Sequence, residues 1–194
     1  MDKNLNIISK DIKLGKNVKI EEFVTIGNNC RIGKDGLIRS FTVIYNGNKV
    51  GKNFRTGHGV LIRENNIIGN NVSIGSHSVI EHDVIIKDNC RIHSNAFIPE
   101  LTVLEEGCWI GPSAVLTNAK YPNTSFTKKK LKGVKVGKNA KIGAGAVILP
   151  GITIGKNALI GAGSVVTKDV KKGEVVVGNP AKIIKEISEI KDYE

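Results

Sequence analysis

Residues 62–97 read, in blocks of six, IRENNI IGNNVS IGSHSV IEHDVI IKDNCR IHSNAF. Every block opens on Ile, and the rule extends both ways. From Ile8 to Leu116 each sixth residue is Ile, Leu or Val, with Thr56 the one exception. A repeat this short and regular is the signature of a solenoid. Six residues match neither the 3.6-residue helix period nor a long strand, but they do match one short strand plus a bend.

Three hexads make a coil of 18 residues, and that longer period is visible on its own: Asn17, Asp35, Asn53, Asn71, Asn89 and Gly107 recur at it. These residue types tolerate the left-handed backbone region, as one tight corner per coil would require. The expected fold is all-β, a triangular parallel β-helix. Neighbouring coils stack about 4.8 Å apart, so residues 18 apart become vertical neighbours. One outward column then reads Asn28, Asn46, Glu64, His82, Glu100, Asn118, and another reads Ser40, His58, Ser76, Ser94, Pro112. The third, Lys16, Lys34, Lys52, Asn70, Asp88, Glu106, is a plain turn column.

After Leu116 the rhythm stops. Residues 117–135 hold turn formers and a basic run and read as a loop thrown out of the stack, where function is often placed. The ladder resumes at Val136 and runs through Ile142, Ile148, Ile154, Ile160 and Val166, displaced by two residues. Ile183, Ile184, Ile187 and Ile190 stand at helical spacing. The expected organisation is therefore a β-helix domain over residues 1–180, its first seven residues a capping lead-in, and a short C-terminal helix over 181–194.

The chain has 194 residues and a net charge of +11, from 29 Lys and Arg against 18 Asp and Glu. The lysines are dispersed among turns and form no dense patch, which disfavours nucleic acid; a small polyanion such as a nucleotide or coenzyme suits the charge, and so does plain solubility. Cys30, Cys90 and Cys108 have no CxxC spacing and read as small interior fillers, so neither a disulfide framework nor a zinc knuckle is indicated. No apolar run approaches eighteen residues and Met1–Asp11 lacks a leader pattern, so a soluble cytoplasmic protein without a membrane span is expected.

Three stretches carry a family resemblance: Ile110-Gly-Pro-Ser-Ala-Val-Leu-Thr-Asn-Ala-Lys-Tyr-Pro122; Ile142-Gly-Ala-Gly-Ala-Val-Ile-Leu-Pro-Gly-Ile-Thr-Ile-Gly155 with its continuation Ile160-Gly-Ala-Gly-Ser-Val-Val-Thr-Lys-Asp169; and Val177-Gly-Asn-Pro-Ala-Lys-Ile-Ile184. They resemble the hexapeptide-repeat acyltransferases, and the first is similar to the sugar-nucleotide N-acetyltransferases. The resemblance implies a left-handed β-helix working as a homotrimer, with acetyl-CoA bound between subunits and an amino-sugar nucleotide as acceptor. It also implies coenzyme contacts from Ala144, Ala162, Thr167, Lys168, Lys182 and Lys185. Related galactoside and maltose acetyltransferases carry a catalytic His-Pro where this chain has Tyr121-Pro122, which weighs against O-acetylation by a loop histidine and marks Tyr121 as a substrate contact.

Acyl transfer from a thioester needs a nucleophile, a group to take its proton and a donor for the oxyanion. Column arithmetic offers His82 as the base, flanked by Glu64 and Glu100 with Asn118 one coil further, all three candidate substrate ligands. Carboxylate neighbours can orient an imidazole and stabilise its charged form. His93 and Asn95 lie in Arg91-Ile-His-Ser-Asn-Ala-Phe-Ile-Pro-Glu100, which resembles the acceptor-site coil of the family, His93 as a second candidate base or ligand and Asn95 as a ligand. An amine acceptor arriving neutral would need no dedicated base. Two other readings stand beside this one: a γ-class carbonic anhydrase-like zinc site using His77, His82 and His58, and a non-catalytic trimeric scaffold. No metal is expected on the transferase reading.

Overall fold

A computed structural model describes residues 5–193 and bears out the hexad reading. Each hexad contributes a two-residue strand, from Ile7–Ile8 to Val165–Val166, and consecutive strands fall on three different faces. The first face starts with Ile7–Ile8, Thr25–Ile26 and Val43–Ile44, the second with Lys13–Leu14, Arg31–Ile32 and Lys49–Val50, the third with Lys19–Ile20, Leu37–Ile38 and Arg55–Thr56. Pairing is parallel at an offset of 18, as in Leu61 with Val79 and Ile74 with Ile92. Each face turns into the next at an edge, named below after the face it follows.

The second residue of each strand points inward. Ile26, Ile44, Ile62, Ile80 and Ile98 are at most 1% exposed, and side chains four residues after the ladder, among them Val60, Val84, Cys90 and Ala114, fill the corners beside them. All three cysteines are buried and unpaired, as interior fillers should be. Full burial contributes about 1.5–3 kcal/mol per aliphatic side chain, so the inward row is what drives the stack together.

The corners differ from the sequence expectation of one tight turn per coil. Left-handed residues occupy every edge: Asn53 and Asn71 on the second, Asn29 and Asp83 on the first, Phe41, His77 and Asn95 on the third. Only the second-edge series is spelled in asparagine throughout much of its length, and it gains a side-chain ladder in which Asn53 donates to Asn71 at 2.8 Å and Asn71 to Asn89 at 3.0 Å. The first edge also favours Asn, Asp and Gly, at Asn29, Gly47, Asn65 and Asp83, whereas on the third edge the stacking of neighbouring coils imposes the same backbone on Phe23, Phe41 and His77, whose identity does not announce it.

Thr56, the break in the ladder, is buried, and its hydroxyl replaces a carbonyl: the Arg39 amide donates to Thr56 Oγ1 at 2.9 Å. The stack absorbs the loop as a whole. It leaves the first edge after Val115–Leu116 and rejoins the second face at Lys135–Val136, one residue earlier than expected. Pairs that bracket it jump from an offset of 18 to 32 residues, as in Val103 with Lys135 and Val115 with Val147, and the coils stay in register. The two-residue phase displacement in the sequence is the trace of that insertion.

The C-terminal helix expected over 181–194 does not form. Ala181–Glu186 is a strand, antiparallel to Glu174–Gly178, and only two 3₁₀ turns, Ile187–Glu189 and Lys191–Tyr193, follow. Glu174–Gly178 ends the third face, and its outer edge would leave amides unpaired; the turn at Asn179-Pro180 returns the chain to pair with it. Ile183 and Ile184 also suit a strand, and an available sheet edge decided between the two readings, leaving Ile187 and Ile190 at the 3₁₀ turn beyond it. The lead-in is described only from Leu5, and strand begins at Ile7; residues 1–4 and 194 lie outside the described range.

Adjacent residues give a test. Ile68 is 2% exposed and Ile67 50% exposed. Ile68→Ala should cost about 2–5 kcal/mol in urea unfolding followed by circular dichroism, and Ile67→Ala under about 1 kcal/mol. Equal losses would contradict the inward and outward assignment.

Candidate active site

The first edge carries the polar column. His82 lies between two carboxylates, with Nε2 2.5 Å from Glu100 Oε2 and Nδ1 2.8 Å from Asp83 Oδ2. Glu100 is the vertical neighbour foreseen from the 18-residue period. Asp83 was missed, because column arithmetic compares coils and not the next residue along the chain. Its left-handed backbone at the corner (φ 55°) brings its carboxylate to the ring beside it.

Glu64 does not hold His82. It is taken by Arg63, whose Nε donates to Glu64 Oε2 at 3.0 Å and whose Nη1 stands 3.4 Å from Glu81 Oε2. That bond keeps the Glu64 carboxyl below its ordinary range. Arg63 also lies over the Tyr45 ring at 5.8 Å. The column is thus two units: an arginine-neutralised carboxylate pair below, and an imidazole clasped by two carboxylates above.

Hydrogen bonding to Asp83 is the largest influence and raises the His82 pKa above its ordinary value near 6.5; partial burial opposes it, and the charges of Glu100 and Asp83 add to the rise. The ring is 36% exposed. With both nitrogens engaged by carboxylates the charged form of the ring is favoured, and it can act as a base only once an incoming group displaces one carboxylate and the proton on that nitrogen leaves with it.

Asn118 continues this edge one coil above Glu100, and the loop springs from it, the Lys132 amide donating to the Asn118 carbonyl at 2.9 Å. Between the loop and Pro150 and Gly151 of the next coil is a cavity of about 620 Å³, lined by Lys120, Tyr121, Phe126, Lys130 and Lys132 among others, with no carboxylate. Tyr121 is exposed, and its carbonyl accepts from Thr127 Oγ1 at 2.8 Å. Thr167 and Lys168 lie on the same edge, exposed, near the far end of the stack.

His93 and Asn95 are not part of this cluster. They stand on the third edge, where the His93 ring packs on Trp109 with centroids 4.6 Å apart and His93 Nε2 is buried without a hydrogen-bond partner. Asn95 is exposed in a left-handed conformation. Ala144 and Ala162 follow on the same edge, and beside Gly145 and Gly163 there is open space where a Cβ would project. Lys182 and Lys185 are exposed on the closing hairpin of the third face. Small residues and open backbone on the edge, with exposed cations on the hairpin that ends the adjoining face, are positions that could hold an extended chain bearing phosphates. Thr167 and Lys168 lie across the prism from them.

The three histidines of the zinc reading do not converge within the chain: His58 and His77 are on the third edge and His82 is on the first. His77 instead leans over Gly59, where an added Cβ would lie 2.7 Å from His77 Nδ1.

The profile of the family described as bacterial transferase hexapeptide (six repeats) matches residues 11–46, 67–100 and 133–168, more than half of the chain. A stretch of 62 residues is 40% identical to the 2,3,4,5-tetrahydropyridine-2,6-dicarboxylate N-acetyltransferase of Staphylococcus aureus, covering 32% of this chain and 18% of that protein. The match thus spans under a fifth of the relative. Among solved structures, the UDP-N-acetylglucosamine acyltransferases of Francisella novicida (TM-score 0.58, 17% identity, 96% of this chain and 71% of that one) and Bacteroides fragilis (0.56, 18%, 96% and 74%) share the fold. A GDP-perosamine N-acetyltransferase of Caulobacter crescentus, in complex with CoA and GDP-perosamine, is 26% identical over 75% of this chain and 57% of that one, with a TM-score of 0.34.

The clasp on His82 has a pH signature. A group whose folded pKa is raised stabilises the fold fully below its unfolded pKa and loses that contribution as pH rises through the folded value. By NMR His82 should titrate above about 6.5, and Asp83→Asn should lower the midpoint. Any Tm advantage of the wild type over His82→Gln should shrink from about pH 6 to pH 8. An advantage that grows with pH would contradict the clasp.

Proposed function

The chain belongs to the bacterial hexapeptide-repeat transferase family, and from that membership we propose that it is an acetyl-CoA-dependent acetyltransferase that N-acetylates an amino sugar carried on a nucleotide. One observation carries the reading to the acceptor side: the polar column of the first edge runs upward through Glu100 and Asn118 into a lysine-lined loop cavity. A carboxylate and imidazole pair suits an amine, and a cationic cavity without carboxylates among the described residues suits an acceptor that is anionic overall.

In this reading the acceptor nitrogen meets His82 Nε2 in place of Glu100, while Asp83 keeps the ring oriented through Nδ1. The nitrogen attacks the thioester carbonyl, the C–N bond forms and the C–S bond breaks. The displaced Glu100 carries off the Nε2 proton, so the neutral ring takes the nitrogen's proton and passes it to the leaving thiolate. Tyr121-Pro122 in place of a loop histidine favours this amine chemistry over O-acetylation of a small sugar.

A homotrimer completes the proposal. The acceptor column and the coenzyme positions Ala144 and Ala162 occupy different edges of one prism, so they can meet only across a head-to-tail contact, which closes into a ring when the rotation is threefold. No described helix is long and apolar enough to cross a membrane, and the working site we propose is the cytoplasm.

Incubation with acetyl-CoA and a panel of amino-sugar nucleotides, monitored by thiol release, should show turnover. His82→Gln should lower kcat by about 10²–10⁴. No turnover on any amine, together with a monomer in sedimentation analysis, would overturn the reading in favour of a binding scaffold. Unchanged kcat in His82→Gln would remove His82 from the chemistry and leave the transfer itself standing.

A further inference from the structure

The third face holds a second concavity, of about 310 Å³, that the column of the first edge does not touch. Two vertical rows build it. Along the face run Arg55, Ser73 and Arg91, paired coil to coil. Along the adjoining edge run Arg39, Gly57, Gly75 and His93, each 18 residues from the next. Small residues thus fill the middle of both rows and long cationic or polar ones stand at their ends, which is how a surface of stacked coils makes a trough.

The charge in this trough is unbalanced. Arg63 elsewhere is neutralised by Glu64 and Glu81, whereas neither Arg55 nor Arg91 has an ion pair or side-chain hydrogen bond among the described residues. Arg39 shares its charge with Glu21, which sits one coil below it. Among the described residues no carboxylate lines the cavity. At the upper wall, His93 Nε2 is buried and unpartnered, a state that costs free energy unless a ligand or water supplies the missing bond. Trp109, its ring tilted against that of His93 and paired in register with Arg91, stands one coil above the trough.

We infer that this trough is a diphosphate-binding site, with Arg55 and Arg91 gripping phosphoryl oxygens from opposite ends and His93 completing the polar wall. The two arginines start two coils apart, roughly 10 Å, so their forks can converge on a group of diphosphate size. Ser73 and the two glycines leave the floor low enough for the anion to lie between them. The trough itself stands on geometry alone; its assignment to the nucleotide diphosphate of an acceptor whose amine lies on the first-edge column of the adjoining subunit rests on the function and trimer proposed above.

Trp109 is the single tryptophan of the chain and serves as the reporter. Inorganic pyrophosphate and uridine diphosphate, titrated calorimetrically into the full-length protein, should both bind and change its fluorescence. Arg55→Ala and Arg91→Ala, at exposed positions, should each weaken binding about tenfold or more, and high salt should weaken it further. Arg31→Ala, an equal loss of charge on the second face, should bind as the wild type does. Undiminished affinity in both trough variants, or heat without any change at Trp109, would overturn the site. If adenosine 3′,5′-diphosphate, the phosphate-bearing part of the coenzyme, binds in the trough and uridine diphosphate does not, the acceptor assignment falls. The thiol-release assay on the wild type is independent of these titrations, so failure of acetyl transfer and failure of the trough are read separately.

Discussion

Backbone pairing between residues 18 apart is the constraint on which everything else depends. A two-residue strand cannot satisfy its amides and carbonyls within its own coil, so each must find them in the coils above and below. Coils of unequal length would shift the register by single residues and turn the inward isoleucines outward. The ladder of Ile, Leu and Val is therefore kept with one exception over more than a hundred residues, and that exception, Thr56, substitutes its own hydroxyl for the bond it disrupts. An insertion can enter only at an edge and only as a closed excursion, which is the form the loop after Leu116 takes.

The same stacking makes the surface a grid. Residues of successive coils stand one above another, so a charge placed on one coil meets whatever its vertical neighbours carry. On the first edge this yields Glu100 against His82 and two carboxylates around Arg63. On the third face it yields Arg55 and Arg91 with only Ser73 between them. Compensated charge on one side and uncompensated charge on the other come from the same arithmetic. The first favours a defined protonation state and the second an anionic ligand.

The sequence was least informative where side chains reach sideways or where two secondary structures fit the same residues. Glu64 was placed correctly as a vertical neighbour of His82, yet the adjacent Arg63 wins it, because a guanidinium offers a directed charge-assisted bond and a neighbouring imidazole already has two partners. Asp83 entered the site through a left-handed corner that its identity only permits. At the C-terminus Ile183, Ile184, Ile187 and Ile190 satisfied a helical period, and the exposed edge of Glu174–Gly178 made the strand the better solution.

By itself, then, the sequence determined the period, the three-sided coil, the inward row, the loop and the vertical neighbours, because each follows from counting along a chain whose register is fixed by parallel pairing. Only the tertiary structure decided which neighbour a side chain bonds, that His82 is clasped by Glu100 and Asp83, that the His93 ring turns inward against Trp109, and that the chain ends in a hairpin. Those outcomes turn on rotamers, corner dihedrals and competition for partners across distances of a few ångströms. Such choices are settled only when the coils are stacked, since until then the competing groups are not neighbours at all.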